Sequence, residues 1–200
     1  ILGLTGNIAS GKSTIARELE RRGAVVVDAD QLARQAVAPG SRVLRQLVAA
    51  FGEEILDPAG ELDRKALGQR VFADASARAR LNALVHPAIA ALAEERLRRL
   101  RQEHHPLIVY EAPLLFEAGA QSRVDKVLMV TVRPEVQLYR LLTRDGLDEK
   151  QARQRIDAQM PQQQKAALAD YCIDNSGSWE ETCEQLTALW EEWTGEDAVS

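Results

Sequence analysis

The sequence predicts an α/β fold built on a five-stranded parallel sheet, because two kinds of pattern alternate along the chain. Five short runs are apolar on both faces, as strands inside a parallel sheet are. Segments with apolar residues at helical spacing separate these runs. The 200 residues suffice for one such domain with additional segments. The predicted strands are residues 1–5, 24–28, 107–111, 126–132 and 171–175.

The loop after the first strand carries the pattern G-x-x-x-x-G-K-[ST], which begins at Gly6. Gly6 and Gly11 let the backbone curl so that consecutive N–H groups point at phosphate oxygens. Lys12 supplies a positive charge for the β- and γ-phosphates. Ser13 offers a hydroxyl to Mg²⁺ at the start of a helix whose positive dipole end favours anions, and Thr14 adds one donor. We therefore expect a phosphorylated nucleotide as the ligand.

Composition excludes several classes of protein. The net charge is −5, aromatic residues make up 4%, and no run of Lys and Arg stands out, so a nucleic-acid-binding surface is not expected. Cys172 and Cys183 are predicted to be reduced, in a cytoplasmic protein. No apolar stretch reaches the roughly 18 residues of a membrane span, and no signal peptide precedes the first strand. Because the chain begins abruptly at Ile1, we expect a few residues to precede it.

Two carboxylates, Asp28 and Asp30, lie at the end of the second predicted strand. The carboxyl ends of parallel strands are where ligands bind in open α/β sheets, which favours a catalytic role. Asp is also a favoured N-cap, and either residue could cap a helix that begins at Gln31. For Asp30 the two interpretations have equal weight.

Residues 31–105 show helical spacing and no strand pattern. A parallel crossover ordinarily needs one helix, so this stretch is predicted to be a helical domain inserted between two strands. One predicted helix contains Val71 and Phe72. Another is predicted to begin after His86 and Pro87, because Pro suits the first position of a helix.

The third predicted strand ends at Glu111, a position where many phosphate-binding folds have an acid associated with Mg²⁺. The loop that follows contains Leu114, Leu115 and Phe116, and then Glu117. These apolar residues are expected either in the core or in the wall of a ligand site, with equal weight.

Residues 137–165 concentrate positive charge in an acidic chain, with six basic and four acidic residues. An Asp-Gly pair predicts a turn between two helices, and we expect this hairpin to form a lid over phosphates. Arg140 and Arg144 lie one helical turn apart on one face, which predicts phosphate contact. Arg153 and Arg155 are interpreted as part of a solvated surface.

The last predicted helix has clear signals at both ends. Ser178 and Glu181 predict a capping box at its start, and Gly195 predicts its end.

Accessory features favour a small-molecule kinase among phosphate-loop proteins. The Asn-Lys-x-Asp element of a GTPase is missing from the sequence, and a transporter-type ATPase would need a signature motif and more length. A helical insertion that binds an acceptor and a basic lid that excludes water are both predicted here. A kinase for another nucleoside or small hydroxylated metabolite, and a nucleotide-binding module without catalysis, are the alternatives.

Seven segments in order resemble the dephospho-CoA kinase family along essentially the whole chain. They are Leu4-Thr5-Gly6 with the loop through Thr14, Asp28-Ala29-Asp30 with Ala33-Arg34, His86-Pro87, Pro113 to Glu117, Gln137 with Arg140, Arg144 and Asp145, Gln159-Met160 with Lys165, and Ala169-Asp170 with Ile173-Asp174-Asn175.

The resemblance implies a three-layer fold like that of P-loop nucleoside-triphosphate hydrolases. Its core would comprise residues 1–30, 106–136 and 166–200, with an inserted acceptor-binding subdomain at 31–105 and a lid at 137–165. The implied reaction is the last step of coenzyme A synthesis, in which the γ-phosphoryl group of ATP goes to the ribose 3′-hydroxyl of dephospho-CoA. ATP and Mg²⁺ are the implied ligands, and a monomer is expected without excluding an oligomer.

The resemblance also implies roles for individual residues. Asp30 is the favoured base with Asp28 beside it, and Lys12 and Arg140 complete the catalytic set. The family often has Asp where this chain has Glu111, whose longer side chain can reach Mg²⁺ through a water. The implied ATP-binding residues are Gly6, Ala9, Ser10, Gly11, Lys12, Ser13, Thr14, Arg144 and Asn175, the last of these near the adenine. The implied acceptor-binding residues are Asp30, His86, Leu114, Leu115, Phe116 and Glu117.

Overall fold

The structure is a computed structural model that describes residues 1–72 and 74–195. The chain forms two compact units, one comprising Ile1–Val27 and Arg99–Ser200 and the other Asp28–Arg98. We call them the sheet unit and the helical unit. The inserted acceptor-binding subdomain predicted at residues 31–105 stays a prediction. The structure does not describe the side chain of Phe72, which belongs to a predicted helix, or residues 196–200, which belong to the predicted core.

A five-stranded parallel sheet organises the sheet unit, which confirms the predicted fold class. The strand order is β2-β3-β1-β4-β5, so the chain moves first to one side of β1 and then to the other. This reversal places a crevice at the carboxyl end of β1, where α/β proteins bind ligands. The strands are β1 Leu2–Gly6, β2 Val25–Asp28, β3 Ile108–Glu111, β4 Lys126–Thr131 and β5 Tyr171–Asp174.

Nine α-helices occur in the described part of the chain. They are α1 Lys12–Arg21, α2 Ala29–Ala36, α3 Arg42–Phe51, α4 Arg64–Phe72, α5 Ala75–Leu100, α6 Pro134–Asp145, α7 Glu149–Asp157, α8 Gln162–Leu168 and α9 Trp179–Thr194. Short 3-10 turns occur at Glu53–Ile55 and Ala120–Arg123. Among these described residues, no helix combines the length and the apolar character that a membrane crossing requires.

The core of the sheet unit joins the central strands to α1 and α9. Leu4, Ile15, Leu19, Leu128 and Leu186 are fully buried in this cluster. The predicted ends of α9 are confirmed, because Ser178 and Glu181 form a capping box and Gly195 ends the helix with φ of 67°.

The helical unit has its own apolar core, in which Leu47 and Ile55 are fully buried. No named strand occurs in the described part of residues 31–105, as predicted. The predicted helix start after His86 and Pro87 is wrong, because α5 continues through Pro87. Pro87 removes one backbone hydrogen bond from α5, but it lies on the exposed side of the helix while other residues of the helix pack on the core.

The predicted start of α2 at Gln31 is also wrong, because the helix begins two residues earlier. Asp28 is the N-cap, and its Oδ1 accepts hydrogen bonds from the backbone N–H groups of Asp30 at 2.7 Å and Gln31 at 3.4 Å. Asp30 therefore lies in the first turn, and capping is the role of Asp28.

Candidate active site

The loop between β1 and α1 is curled by residues with positive φ. Ala9 has φ of 61° and Gly11 has φ of 89°. Such a conformation costs a residue with a side chain on the order of 1–3 kcal/mol and is found mostly at functional sites. Gly11 is required for a second reason, because a Cβ there would lie 2.0 Å from Asn175 Nδ2. The curl is a backbone shape that forms an anion-binding concavity.

Lys12 and Ser13 both donate hydrogen bonds to one carboxylate oxygen, Glu111 Oε1. Lys12 Nζ forms an ion pair with this oxygen, and Ser13 Oγ lies 2.9 Å from it. The side chains of Lys12 and Glu111 are only 11% and 9% exposed. The ammonium group of Lys12 and the hydroxyl of Ser13 therefore both contact the carboxylate at the end of β3, the strand next to β1 in the sheet.

Ser13 and Glu111 provide hard oxygen ligands of the kind that Mg²⁺ prefers. Mg²⁺ is usually bound through one or two carboxylates together with substrate phosphates and water. Within residues 1–72 and 74–195, no group of three or more His, Cys, Asp or Glu side chains is placed to hold a metal. The residues present therefore fit a Mg²⁺ ion that shares its coordination with a nucleotide.

Arg140 extends from α6 toward the loop between β1 and α1, residues 7–11, which we call the phosphate loop. Its Nη1 is buried without a hydrogen-bond partner among the described residues, and it lies 3.8 Å from the position of a Cβ on Gly11. Ser10 Oγ is buried and unpaired in the same way. Such groups are uncommon in folded proteins, and an anionic ligand in the loop would give the guanidinium a partner.

Arg144 is engaged elsewhere in this structure. It is 60% exposed and donates a 2.7 Å hydrogen bond to Asp145, which lowers the pKa of that carboxyl. Arg155 also pairs with Asp145, and Arg153 pairs with Glu149 on α7. Phosphate contact by Arg144 stays a prediction. The surface ion pairs of Arg153 and Arg155 agree with their interpretation as solvated residues.

Two glutamines of the predicted lid hold the phosphate loop, and sequence reasoning assigned them no role. Gln137 Nε2 donates to the Ile8 carbonyl at 2.8 Å, and the Ile8 N–H donates to Gln159 Oε1 at 2.7 Å. Asn7 Nδ2 donates to the Met160 carbonyl at 3.0 Å. One feature of the sequence could have pointed to these two glutamines, because both belong to segments that resemble the dephospho-CoA kinase family.

Asn175 holds the same loop from the end of β5. Its Nδ2 donates to the Ser10 carbonyl at 2.7 Å, and its Oδ1 accepts from Thr182 Oγ1 at 3.0 Å. The residue is 7% exposed. The structure thus gives Asn175 a role in shaping the loop, while its contact with the adenine stays a prediction.

A fully buried lysine at the end of the predicted lid contacts the loop after β3. Lys165 is 0% exposed, and its Nζ lies 2.9 Å from the Pro113 carbonyl and 2.8 Å from Glu117 Oε1. Glu117 Oε1 also accepts a hydrogen bond from the Met160 N–H at 3.1 Å. The paired carboxylate and carbonyl compensate for the burial of this charge.

The apolar residues of the same loop fall into two groups. Leu115 is fully buried, which supports the core interpretation for this residue and leaves it no exposed surface for a ligand. Leu114 is 49% exposed and Phe116 is half-buried. Leu114 and Phe116, together with Glu117, stay predicted acceptor contacts.

In the helical unit, the Asp30 side chain is exposed, and no hydrogen bond or ion pair engages its carboxylate within the described part of the chain. His86 is also exposed and lines a cavity of about 270 Å³ within the same unit. Arg64 and Asn82 contribute polar groups to this cavity, whose other walls are mainly apolar. The roles of these residues in binding or catalysis stay predictions.

Comparison with known proteins identifies the family. A sequence model of the dephospho-CoA kinase family matches residues 1–181. A dephospho-CoA kinase of Geobacter sulfurreducens is 57% identical over 190 residues, which are 95% of this chain and 96% of that protein.

Two solved structures have the same fold over nearly their whole length. A dephospho-CoA kinase from Campylobacter jejuni is 30% identical with a TM-score of 0.74, and the match covers 97% of each chain. A protein from Thermus thermophilus is 37% identical with a TM-score of 0.82, and the match covers 96% of each chain. The sequence, the fold and the phosphate-loop geometry agree, and this chain belongs to the dephospho-CoA kinase family.

Proposed function

We propose that this protein transfers the γ-phosphoryl group of ATP to the ribose 3′-hydroxyl of dephospho-CoA, giving coenzyme A and ADP. This reaction is the final step of coenzyme A synthesis. The observation that carries the proposal is the convergence of Lys12 and Ser13 on Glu111, beside the unpaired Arg140 Nη1, in a chain of this family.

The phosphate loop binds the triphosphate through backbone N–H groups from Ala9 to Thr14. Lys12 exchanges its partner, releasing Glu111 and pairing with phosphate oxygens. Arg140 donates from its buried Nη1 to the same group of oxygens. Phosphoryl transfer needs little covalent chemistry from a protein, so positioning and charge stabilisation by these groups provide most of the catalysis.

Ser13 and Glu111 would hold Mg²⁺. When bound there, the ion would supply positive charge that offsets the negative charge of the phosphates during transfer. The support for this assignment is the 2.9 Å separation of Ser13 Oγ and Glu111 Oε1, which are both hard oxygen ligands.

Asp30 is the proposed base that accepts or orients the proton of the attacking hydroxyl. Its support is that Asp28 serves as the helix cap, which leaves the Asp30 carboxylate exposed and available. We also keep Asp28 in the proposed catalytic set, since it fixes the backbone of Asp30 through a 2.7 Å hydrogen bond.

The acceptor is proposed to contact the helical unit through His86 and the loop after β3 through Leu114, Phe116 and Glu117. We also propose a cytoplasmic location, supported by Cys172 and Cys183, which are both free thiols. A monomer stays a prediction.

A coupled assay of ADP release tests the proposed function. ATP is offered with dephospho-CoA, adenosine, AMP or shikimate in separate reactions, and a reaction without acceptor measures background hydrolysis. We expect ADP release that depends on dephospho-CoA, with the new phosphate on the ribose 3′-oxygen of the product. Preferential turnover of adenosine, AMP or shikimate would make this a kinase for another acceptor. ATP binding without any acceptor-dependent turnover would make it a nucleotide-binding module.

A further inference from the structure

We infer that Gln137 is a positioning residue for Arg140. Its hydrogen bond to the Ile8 carbonyl fixes the rotation of α6 in which the Arg140 guanidinium reaches Gly11. This inference rests on the proposed function, because it concerns the arginine that stabilises the transferred phosphoryl group. It goes beyond that function by assigning a role to a side chain that need not touch either substrate.

The two residues act on the same loop from the same helix face. Gln137 and Arg140 are three positions apart on α6, so their side chains are neighbours on its surface. Gln137 is 5% exposed and its Nε2 lies 2.8 Å from the Ile8 carbonyl oxygen. Arg140 Nη1 lies 3.8 Å from the Cβ position of Gly11. One helix face therefore contacts the loop near its start and near its end.

Arg140 depends on its helix for its position. Within the part of the chain that the structure describes, no hydrogen bond or ion pair engages its guanidinium, and Nη1 is buried. The side chain is long and flexible, so the placement of α6 determines where the charge lies. A misplacement of about 1 Å at a reacting centre can lower a rate by roughly a hundredfold.

The phosphate loop itself keeps other supports when Gln137 is changed. The Ile8 N–H remains bonded to Gln159, Asn7 to the Met160 carbonyl, and the Ser10 carbonyl to Asn175. Loss of the Gln137 bond therefore leaves these supports of the loop in place and removes the direct hydrogen bond between the loop and the face of α6 that carries Arg140. Turnover is expected to fall while the affinity for ATP is retained.

A double-mutant cycle between Gln137 and Arg140 tests the inference. Gln137→Met keeps the side-chain length and removes the donor, and we expect kcat to fall about tenfold with KM for ATP within about twofold of the unaltered protein. Arg140→Ala lowers kcat by itself. In the Arg140→Ala background, Gln137→Met is expected to change kcat by less than about twofold, because the residue it positions is gone.

Gln185 on α9 offers a matched control in the same unit. Its side chain also bonds both polar groups of one backbone residue, accepting from the Asp174 N–H at 3.0 Å and donating to the Asp174 carbonyl at 2.9 Å. Gln185→Met removes two hydrogen bonds of the same kind that do not involve α6. We expect it to lower the thermal midpoint, and its effect on kcat should be the same in both Arg140 backgrounds.

The possible results separate the inference from the function on which it rests. Equal loss of kcat from Gln137→Met with and without Arg140, or a loss confined to KM, would overturn the positioning role. Gln137→Leu is a second, uncharged variant of similar size that also lacks the donor, and the same coupling to Arg140 is expected if Gln137→Met does not fold. Absence of transfer to dephospho-CoA by the unaltered protein is a separate result that overturns the proposed function itself.

Discussion

The two units of the molecule hold their backbones in different ways. In the helical unit, Ser41, Asp57, Asp63 and Asp74 each accept from backbone N–H groups two to four residues away. In the sheet unit, four hydrogen bonds tie residues 7–10 to the segments that contain Gln137, Gln159 and Asn175, and they join residues 129 to 165 positions apart. The phosphate loop is thus shaped by distant segments, whereas the turns of the helical unit are shaped by their own neighbours.

This difference has a consequence for substitutions. A change in the segment after α7, or in the segment that follows β5, reaches the phosphate loop directly through one hydrogen bond. A change at Ser41, Asp57, Asp63 or Asp74 of the helical unit is expected to affect stability and little else. The predictions below test this contrast, from the largest expected effect to the smallest.

Lys12→Ala is expected to abolish detectable phosphoryl transfer. It removes the charge that the loop presents to the β- and γ-phosphates, so ATP binding is lost together with stabilisation of the transferred group, and the second loss alone commonly lowers kcat by about 10² to 10³. The measurement is acceptor-dependent ADP release. Lys126→Ala is the control, since Lys126 is 57% exposed and pairs with Asp170 away from the loop. Retained activity in Lys12→Ala would contradict the phosphate-binding role of the loop.

Asp30→Asn is expected to lower kcat by about 10² to 10⁴, the usual contribution of a positioned base. Its affinity for ATP should be retained, because binding of the triphosphate is assigned to the sheet unit. Equilibrium ATP binding and turnover are measured on the same variant. Asp63→Asn is the control, as it keeps a helix-capping side chain in the same unit. An Asp30→Asn variant within threefold of the parent would remove Asp30 from the mechanism.

Asn175→Ala and Ser41→Ala compare the two kinds of backbone support directly. Asn175→Ala leaves the buried Ser10 carbonyl without its partner, which should destabilise the protein by about 1–3 kcal/mol and weaken ATP binding. Ser41→Ala removes the cap of α3, which should destabilise by about 1 kcal/mol without changing ATP binding. Chemical unfolding and ATP titration check both. Equal ATP affinity in the two variants would remove the proposed contrast between the units.

Asp170→Asn is expected to have the smallest effect. A hydrogen bond from Lys126 and one from the Val127 N–H lower the pKa of the Asp170 carboxyl. The stability gained is therefore present above the ordinary pKa of about 3.9 and is lost as the pH falls through the lower folded value. The thermal midpoint of Asp170→Asn should lie about 1–2 °C below the parent at neutral pH, since exposed pairs contribute little. This gap should narrow in acid.

Much of the fold was predictable because its signals are local. Each predicted strand matches an observed strand within one residue at either end, and the capping box of α9 and the turn at Gly146 were also predicted correctly. Strand alternation, caps and glycine turns are read from neighbouring residues. Pro87 misled the prediction because its exposure and the packing of the opposite helix face decide whether a helix tolerates it.

The candidate site was predictable only in part. The motif predicted roles for Lys12 and Ser13, and the basic residues of 137–165 predicted one for Arg140; the structure brings these three side chains to the loop between β1 and α1, and their roles stay predictions. Which of Asp28 and Asp30 caps α2 depended on the first residue of that helix, and the helix propensities of the neighbouring residues did not determine that position. The roles of Gln137 and Asn175 in holding the loop were not predictable, because a hydrogen bond between residues more than a hundred positions apart leaves no local pattern.

The ion pair of Lys12 with Glu111 balances the charge of the loop lysine while no nucleotide is bound. Arrival of the nucleotide is then a substitution of one anion for another, and the net gain on binding is the difference between two ion pairs. A ligand must therefore present more negative charge than a single carboxylate to compete. We expect an uncharged nucleoside not to displace the resident acid, so this ion pair would favour polyphosphates over nucleosides as ligands of the loop.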